Sequence, residues 1–265
     1  MIPIKTRHEI ALIKESSLLV GKTLAAVAAE IRPGISTKLL DTLAETFIKD
    51  HGATPSFKGY RGFPFSLCIS VNEVVVHGMP SEYLIREGDL VSVDCGVFKN
   101  GFHGDSAFSF LVDGAGTEAG RLCRVTRECL TRAIEMASAG NRVGDISYAV
   151  QSHAEQHGYG VVRELVGHGV GRNLHEKPEV PNYGKKGQGP VLKEGMVLAI
   201  EPMINMGERQ VVQERDGWTI RTRDRKPSAH FEHTVAITSE GPMVLSSFED
   251  IETAIQNNKH IKQKD

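Results

Sequence analysis

Four acidic residues stand in apolar runs that would not ordinarily tolerate them. Asp94 ends LVSVD, Asp105 follows in GFHGDSAF, Glu201 lies near the middle of MVLAIEPMI, and Glu232 lies in AHFEHTVAIT. A buried carboxylate is costly unless neutralised, and neither glutamate has a lysine or arginine within its own strand. A fifth residue, His168, sits in VGHGVGRNLHEKP, seven positions before His175. On a helix that spacing rises about 10 Å, too far for two rings to share one ion. Gly167, Gly169 and Gly171 oppose a helix here, so a glycine-rich turn is expected to aim both rings at one cavity. Taken singly, each residue has a structural reading: a solvent-facing aspartate pair, structural ion pairs for the glutamates, or a surface loop carrying two histidines. Together they call for one explanation. Hard oxygen donors with one imidazole suit divalent Mn, Fe, Co or Zn. Four negative charges exceed what one such ion balances, so two ions bridged by carboxylates fit better. Metals paired about 3.5–4 Å apart generate hydroxide near neutral pH and polarise a scissile carbonyl.

These residues need a scaffold that brings them together. Thr6-Arg7-His8-Glu9 reads as a capping box before a long amphipathic helix carrying Ile10, Ile13, Val20, Leu24, Val27 and Ile31. Arg32-Pro33-Gly34 stops it. A second helix over about 37–51 buries Leu40, Leu43 and Phe47, with Gly52 as its C-terminal glycine. After a loop rich in glycine, proline and aromatics at 53–66, the pattern turns to strands: LCISV, EVVVHG, LVSVDCGVF and FHGDSAFSFLV. The turn Lys99-Asn100-Gly101 allows a two-residue hairpin loop at 99–100 or at 100–101. Asp94 then faces Asp105 directly or diagonally, on the same face of the ribbon either way. Carboxylates held so close repel unless a proton or cation lies between them. The second half repeats the order: helices over about 117–138 and 143–157, then strands near 160–166, 196–204, 218–223 and 229–238. Two related α/β halves sharing one core are expected, with a charged, solvated tail at 249–265.

Composition narrows the function classes. The chain of 265 residues carries 31 basic and 33 acidic residues, a net charge of −2, so it lacks the basic footprint of a nucleic-acid binder. The N-terminus is charged and has no continuous apolar core of a secretory signal. No apolar stretch reaches the ~18 residues of a membrane span. Cys68, Cys95, Cys123 and Cys129 have no CxxC spacing and are expected as reduced thiols in a cytoplasmic protein. Gly114-Ala115-Gly116-Thr117-Glu118-Ala119 matches a dinucleotide fingerprint. The acid about twenty residues on, Glu135, lies in a helical pattern instead of ending a second strand, as that fold requires.

The ordered set Asp94, Asp105, His168, Glu201 and Glu232 resembles the metal-binding residues of the methionine aminopeptidases, over roughly residues 3–248. The motifs that carry the resemblance are YRGFPFSLCISVNEVVVHGMP, VDCGV, FHGDSA, GHGVGRNLHEKP, IEPM and SAHFEHTVAIT. It implies an α+β pita-bread fold, two pseudo-symmetric α/β halves around a central curved antiparallel sheet, in one catalytic domain over 1–248. It further implies removal of an N-terminal methionine from nascent proteins and peptides when the next residue is small. His168 and Glu201 would hold one metal and Asp94 the other, with Asp105 and Glu232 bridging. His77 would lie beside the scissile amide, His175 would contact the substrate carbonyl, and Glu201 would transfer a proton. Tyr60, Phe63, Cys68 and Trp218 would form the methionine pocket, with Phe57 and Leu174 at its edge. The implied cofactors are two divalent ions (Co, Mn, Fe or Zn), with a monovalent cation near Asn72, Val74 and Ser228. The implied partners are peptide and nascent-chain N-termini, with transient ribosome association, for a monomer that binds no membrane and no specific nucleic acid. The type I form fits best: the chain begins almost at the catalytic fold, and only thirty residues separate Glu201 from Glu232. The competing readings are a prolidase or aminopeptidase P-like metallopeptidase and a non-catalytic binding protein of the same fold. The first usually carries an extra N-terminal domain, and the second tends to lose ligands.

Overall fold

Thr6 opens the first helix by the reciprocal capping its sequence predicts, its hydroxyl accepting from the Glu9 N–H while the Glu9 carboxylate accepts from the Thr6 N–H. The computed structural model describes residues 1–262. Helix α1 (Arg7–Glu30) lays Ile13, Val20, Leu24 and Val27 into the core, each fully buried. Helix α2 (Thr37–Asp50) is capped by Ser36 and closes before Gly52, whose φ of +67° suits a residue without a Cβ. In the second half, α3 (Thr117–Glu135) and α4 (Val143–Gln156) pack on each other. Glu135 lies inside α3, which removes the strand end that a dinucleotide site needs.

The long hairpin Leu90–Lys99 and Phe102–Leu111 is covered by α1. Its loop is Asn100-Gly101, with φ values of +52° and +82°, the left-handed pair that a tight two-residue turn demands. This selects the second of the two possible registers: Asp94 pairs with Ala107 and Gly96 with Asp105, so the two aspartates are diagonal neighbours. Leu67–Val71 adds to the other edge, with Cys68 opposite Asp94. The later half builds a five-stranded antiparallel sheet from Gly241–Val244, His233–Thr238, Val197–Ile200, Val166–Gly169 and Glu176–Pro181, in that order. Side-chain and backbone bonds stitch the halves together. Ser106 Oγ donates to the Glu232 carbonyl at 2.6 Å, Glu232 N–H to the Ala107 carbonyl at 3.0 Å, and Thr234 Oγ1 to the Asp105 carbonyl at 2.8 Å. Helix, helix, strands thus occurs twice in an α+β fold with a shared core.

Three features differ from the sequence reading. The 166–178 segment is not glycine turn throughout, because Val166–Gly169 is a strand paired with Val197–Ile200. Short strands at Val211–Gln213 and Gly241–Val244 carry too few residues for a visible alternation. The expected solvated tail contains a helix, α5 (Glu249–Asn257), that packs on α1 with Ile251 and Ile255 buried. Its two isoleucines, four apart, supply the apolar stripe, while the acids of its first turn favour the helix N-terminus. The part of that tail at 263–265 lies outside the described residues. All four cysteines are free and buried. No helix among the described residues is long and apolar enough to cross a membrane.

Candidate metal centre

Strand alternation and register place the acids on one floor. Asp94 and Asp105 come from the hairpin, His168 from the strand opposite Ala199, Glu201 from just beyond that neighbouring strand, and Glu232 from the break before His233–Thr238. Gly167 allows the close approach of these strands. A Cβ there would stand 2.5 Å from the Ala199 carbonyl oxygen and 3.3 Å from Glu201 Cγ. His168 Nε2 lies 3.6 Å from Glu201 Oε1 and 3.9 Å from Asp105 Oδ2. Asp105, His168 and Glu232 each offer a ligand atom, and these atoms lie within 4.8 Å of one another. His168 Nδ1 is 2.9 Å from the Gly169 carbonyl, which can only accept, so the proton sits on Nδ1 and Nε2 presents its lone pair.

The electrostatics demand a cation or protons. Burial, first, pushes the Asp94 carboxyl up to about 7. Burial and then the neighbouring carboxylates push Asp105, Glu201 and Glu232 well above the usual carboxylate range. Burial also lowers His168 to about 4, so its contacts with the acids are not ion pairs of a charged imidazolium. Asp94 Oδ1, Asp105 Oδ1 and Glu232 Oε1 are buried without a hydrogen-bond partner. The ion-pair contacts of Asp105 and Glu201 among the described residues are to histidines only. Unpartnered anionic oxygens converging with one neutral imidazole fit the donor set of a hard or borderline divalent ion.

Above this floor opens a cavity of about 320 Å³. Phe57, Phe63, Cys68 and Leu174 form a buried apolar cluster, with Tyr60 and Trp218 packed against it. Phe63 meets Trp218 edge to face at 5.1 Å between centroids. His175 lies between Tyr60 and His168, at 5.0 and 4.1 Å between centroids. His77 stands edge-on to Trp218 at 6.3 Å with φ of +56°, a backbone conformation that a non-glycine residue rarely adopts. Burial lowers both His77 and His175, the latter to about 3 with repulsion of its protonated form by the neighbouring histidines and Arg61 contributing, so both are neutral and each carries one N–H donor. Asn72 and Ser228 also meet, Ser228 N–H donating to the Asn72 carbonyl at 2.9 Å, while Val74 begins the strand Val74–Val76.

The sequence reading missed His230. Its ring is buried, and its Nε2 has no hydrogen-bond partner and lies 3.8 Å from Glu201 Oε2. The available signal was its position two residues before Glu232 in an apolar segment. Arg61 and Glu164 in the cavity lining were also missed, and polar residues in loops give no periodic signal.

The profile of metallopeptidase family M24 matches residues 11–239. A methionine aminopeptidase of Clostridium perfringens is 52% identical over 246 residues, 93% of this chain and 99% of that protein. The crystal structure of methionine aminopeptidase from Thermotoga maritima is 45% identical with a TM-score of 0.91, covering 93% of this chain and 100% of that one. The prolidase from Pyrococcus horikoshii is similar at 25% identity and a TM-score of 0.77, but only 64% of its chain is covered.

Proposed function

Because the chain belongs to metallopeptidase family M24, and within it to the methionine aminopeptidases, we propose that the cavity receives a polypeptide N-terminus and opens its first peptide bond by activated water. The chain is a metal-dependent hydrolase with the pita-bread fold, and it removes the initiator methionine. The observation that carries the detailed reading is the set of unpartnered carboxylate oxygens beside His168, roofed by an aromatic cavity.

In this reading Asp94, Asp105, His168, Glu201 and Glu232 would hold two divalent ions, His168 and Glu201 serving one, Asp94 the other, and Asp105 and Glu232 both. Such ions acidify water toward neutral pH and stabilise charge on a carbonyl oxygen. Phe63, Cys68, Tyr60 and Trp218 bind the methionine side chain, since aromatic faces and sulfur make favourable contacts with a thioether. Phe57 and Leu174 close its edge. His175 donates its N–H to the substrate carbonyl oxygen, His77 stands beside the scissile amide, and Glu201 transfers the proton to the departing amine. A small second residue is favoured, as in the methionine aminopeptidases that the chain resembles.

The donor set accepts Mn, Fe, Co or Zn. We propose a monovalent cation at the carbonyls of Asn72 and Val74 with Ser228. We also propose one catalytic domain, with α5 packed on it, acting in the cytoplasm as a monomer on nascent-chain N-termini with transient ribosome contact. The short link from Glu201 to Glu232 supports the type I form. Retention of all five ligands and both substrate histidines argues against a non-catalytic binder, and the partial coverage of prolidase argues against that activity. Methionine release from a Met-Ala-Ser-type peptide, with and without added metal, tests the reading. Equal cleavage of Leu- and Arg-initiated peptides would sink the pocket assignment.

A further inference from the structure

We propose a second divalent-metal site, built by Glu128, His153 and His157 on the outer helices, that takes a zinc-type ion and ties α3 to α4. Glu128 lies on α3, His153 near the end of α4, and His157 at the C-cap of α4. The spacing of four residues puts both rings on one face, with centroids 4.5 Å apart. One ligand atom from each of the three residues lies within 4.8 Å of the others. His157 Nδ1 is 2.8 Å from the His153 carbonyl, so it donates there and leaves Nε2 as the ligand atom, the arrangement that orients metal-binding imidazoles. His153 Nε2 meets Glu128 Oε2 at 2.6 Å, while the nearby Arg124 Nε approaches the other carboxylate oxygen, at 4.0 Å.

Two imidazoles and a carboxylate form a zinc donor set with a fourth position left for water. Tetrahedral bonds of about 2.0–2.2 Å put donors about 3.3 Å apart. The 2.6 Å contact between His153 and Glu128 therefore opens by less than ~1 Å, a shift within reach of the part-exposed Glu128 side chain. The chemistry also separates this site from the catalytic centre. Four carboxylates and one imidazole accept Mn readily, whereas a site with two imidazoles favours Zn.

Metal analysis of the whole protein tests the proposal. Wild type, His157→Ala and Glu128→Gln are equilibrated with buffered zinc, desalted, and analysed for zinc per chain. Both variants are expected to hold one equivalent fewer than wild type, with methionine release by the manganese-loaded enzymes changed less than about twofold, because the site lies outside the cavity. In a His168→Ala background, zinc is expected to raise Tm, and adding His157→Ala removes part of that rise. Equal zinc content in wild type and in an active His157→Ala protein overturns the proposal, leaving only a hydrogen bond between His153 and Glu128.

Discussion

The imidazole of His175 lies against that of His168, with centroids 4.1 Å apart, while His168 Nε2 is the one directed at the carboxylates of Asp105 and Glu201. In the proposed reading these two neighbouring rings divide the work. His168→Ala removes a proposed metal donor and is expected to weaken metal affinity, with activity partly restored by excess metal. His175→Ala keeps the donor set. It is expected to lower kcat by about 10²–10³, roughly 3–4 kcal/mol, the scale for losing a hydrogen bond to a developing oxyanion. Metal content and turnover measured together decide this. Equal metal loss in both variants makes both rings ligands.

Chelation tests the acid floor. Removing the ions leaves Asp94, Asp105, Glu201 and Glu232 buried and mutually repelling. Turnover is expected to vanish. At metal concentrations about a hundredfold above Kd, each ion contributes about 2.7 kcal/mol, so losing the pair on chelation should lower Tm by roughly 10–20 °C. Calorimetry that finds one divalent equivalent at full activity contradicts the paired centre.

The aromatic wall should govern substrate binding more than chemistry. Trp218 is held by a turn in which its backbone N–H donates to Asp216 Oδ1 at 2.9 Å, and its ring meets Phe63 edge to face. Trp218→Ala is expected to raise KM for a Met-initiated peptide about tenfold, near half of the 1.5–3 kcal/mol that burying a methionine side chain is worth. An unchanged KM with a lower kcat would assign the tryptophan to the reacting atoms instead.

Asp41 links α2 to the pocket strand, accepting the N–H groups of Ser66 and Leu67 at 2.8 Å each. Burial is the largest influence on its carboxyl and raises it above 3.8, against the lowering effect of those two donors. A raised acid in the folded state binds protons more readily than in the unfolded chain. Its contribution is therefore present at low pH and is lost as pH rises from the unfolded value through the folded one. Asp41→Asn removes that titration, so the stability of the variant relative to wild type should climb as pH rises above the ordinary carboxyl value of 3.8 in urea unfolding at constant ionic strength. A pH-independent difference rules out the raised carboxyl. Asp41→Ala, which strands two buried N–H groups, should cost about 2–4 kcal/mol.

Much of this protein was legible in its sequence because the relevant forces are local. Capping at Thr6, the apolar stripe of α1, the turn at Asn100-Gly101 and the misplaced acids each express themselves within a few residues. Those acids, ordered with His168, already pointed to a metal. Other features needed the folded chain. Either hairpin register satisfies alternation, and the conformation of Asn100-Gly101 placed Asp94 diagonal to Asp105. Ser106 reaches Glu232 across 126 residues, a contact with no local signature that brings the two halves to one floor. The mixed charges of α5 concealed a helix, because Ile251 and Ile255 have meaning only against the face that α1 presents. His230 looked like one more polar residue until the fold set it beside Glu201. Local periodicity and spacing could determine the elements and the candidate donors, whereas register, docking and the convergence of distant side chains depend on surfaces that exist only after the chain has folded back on itself.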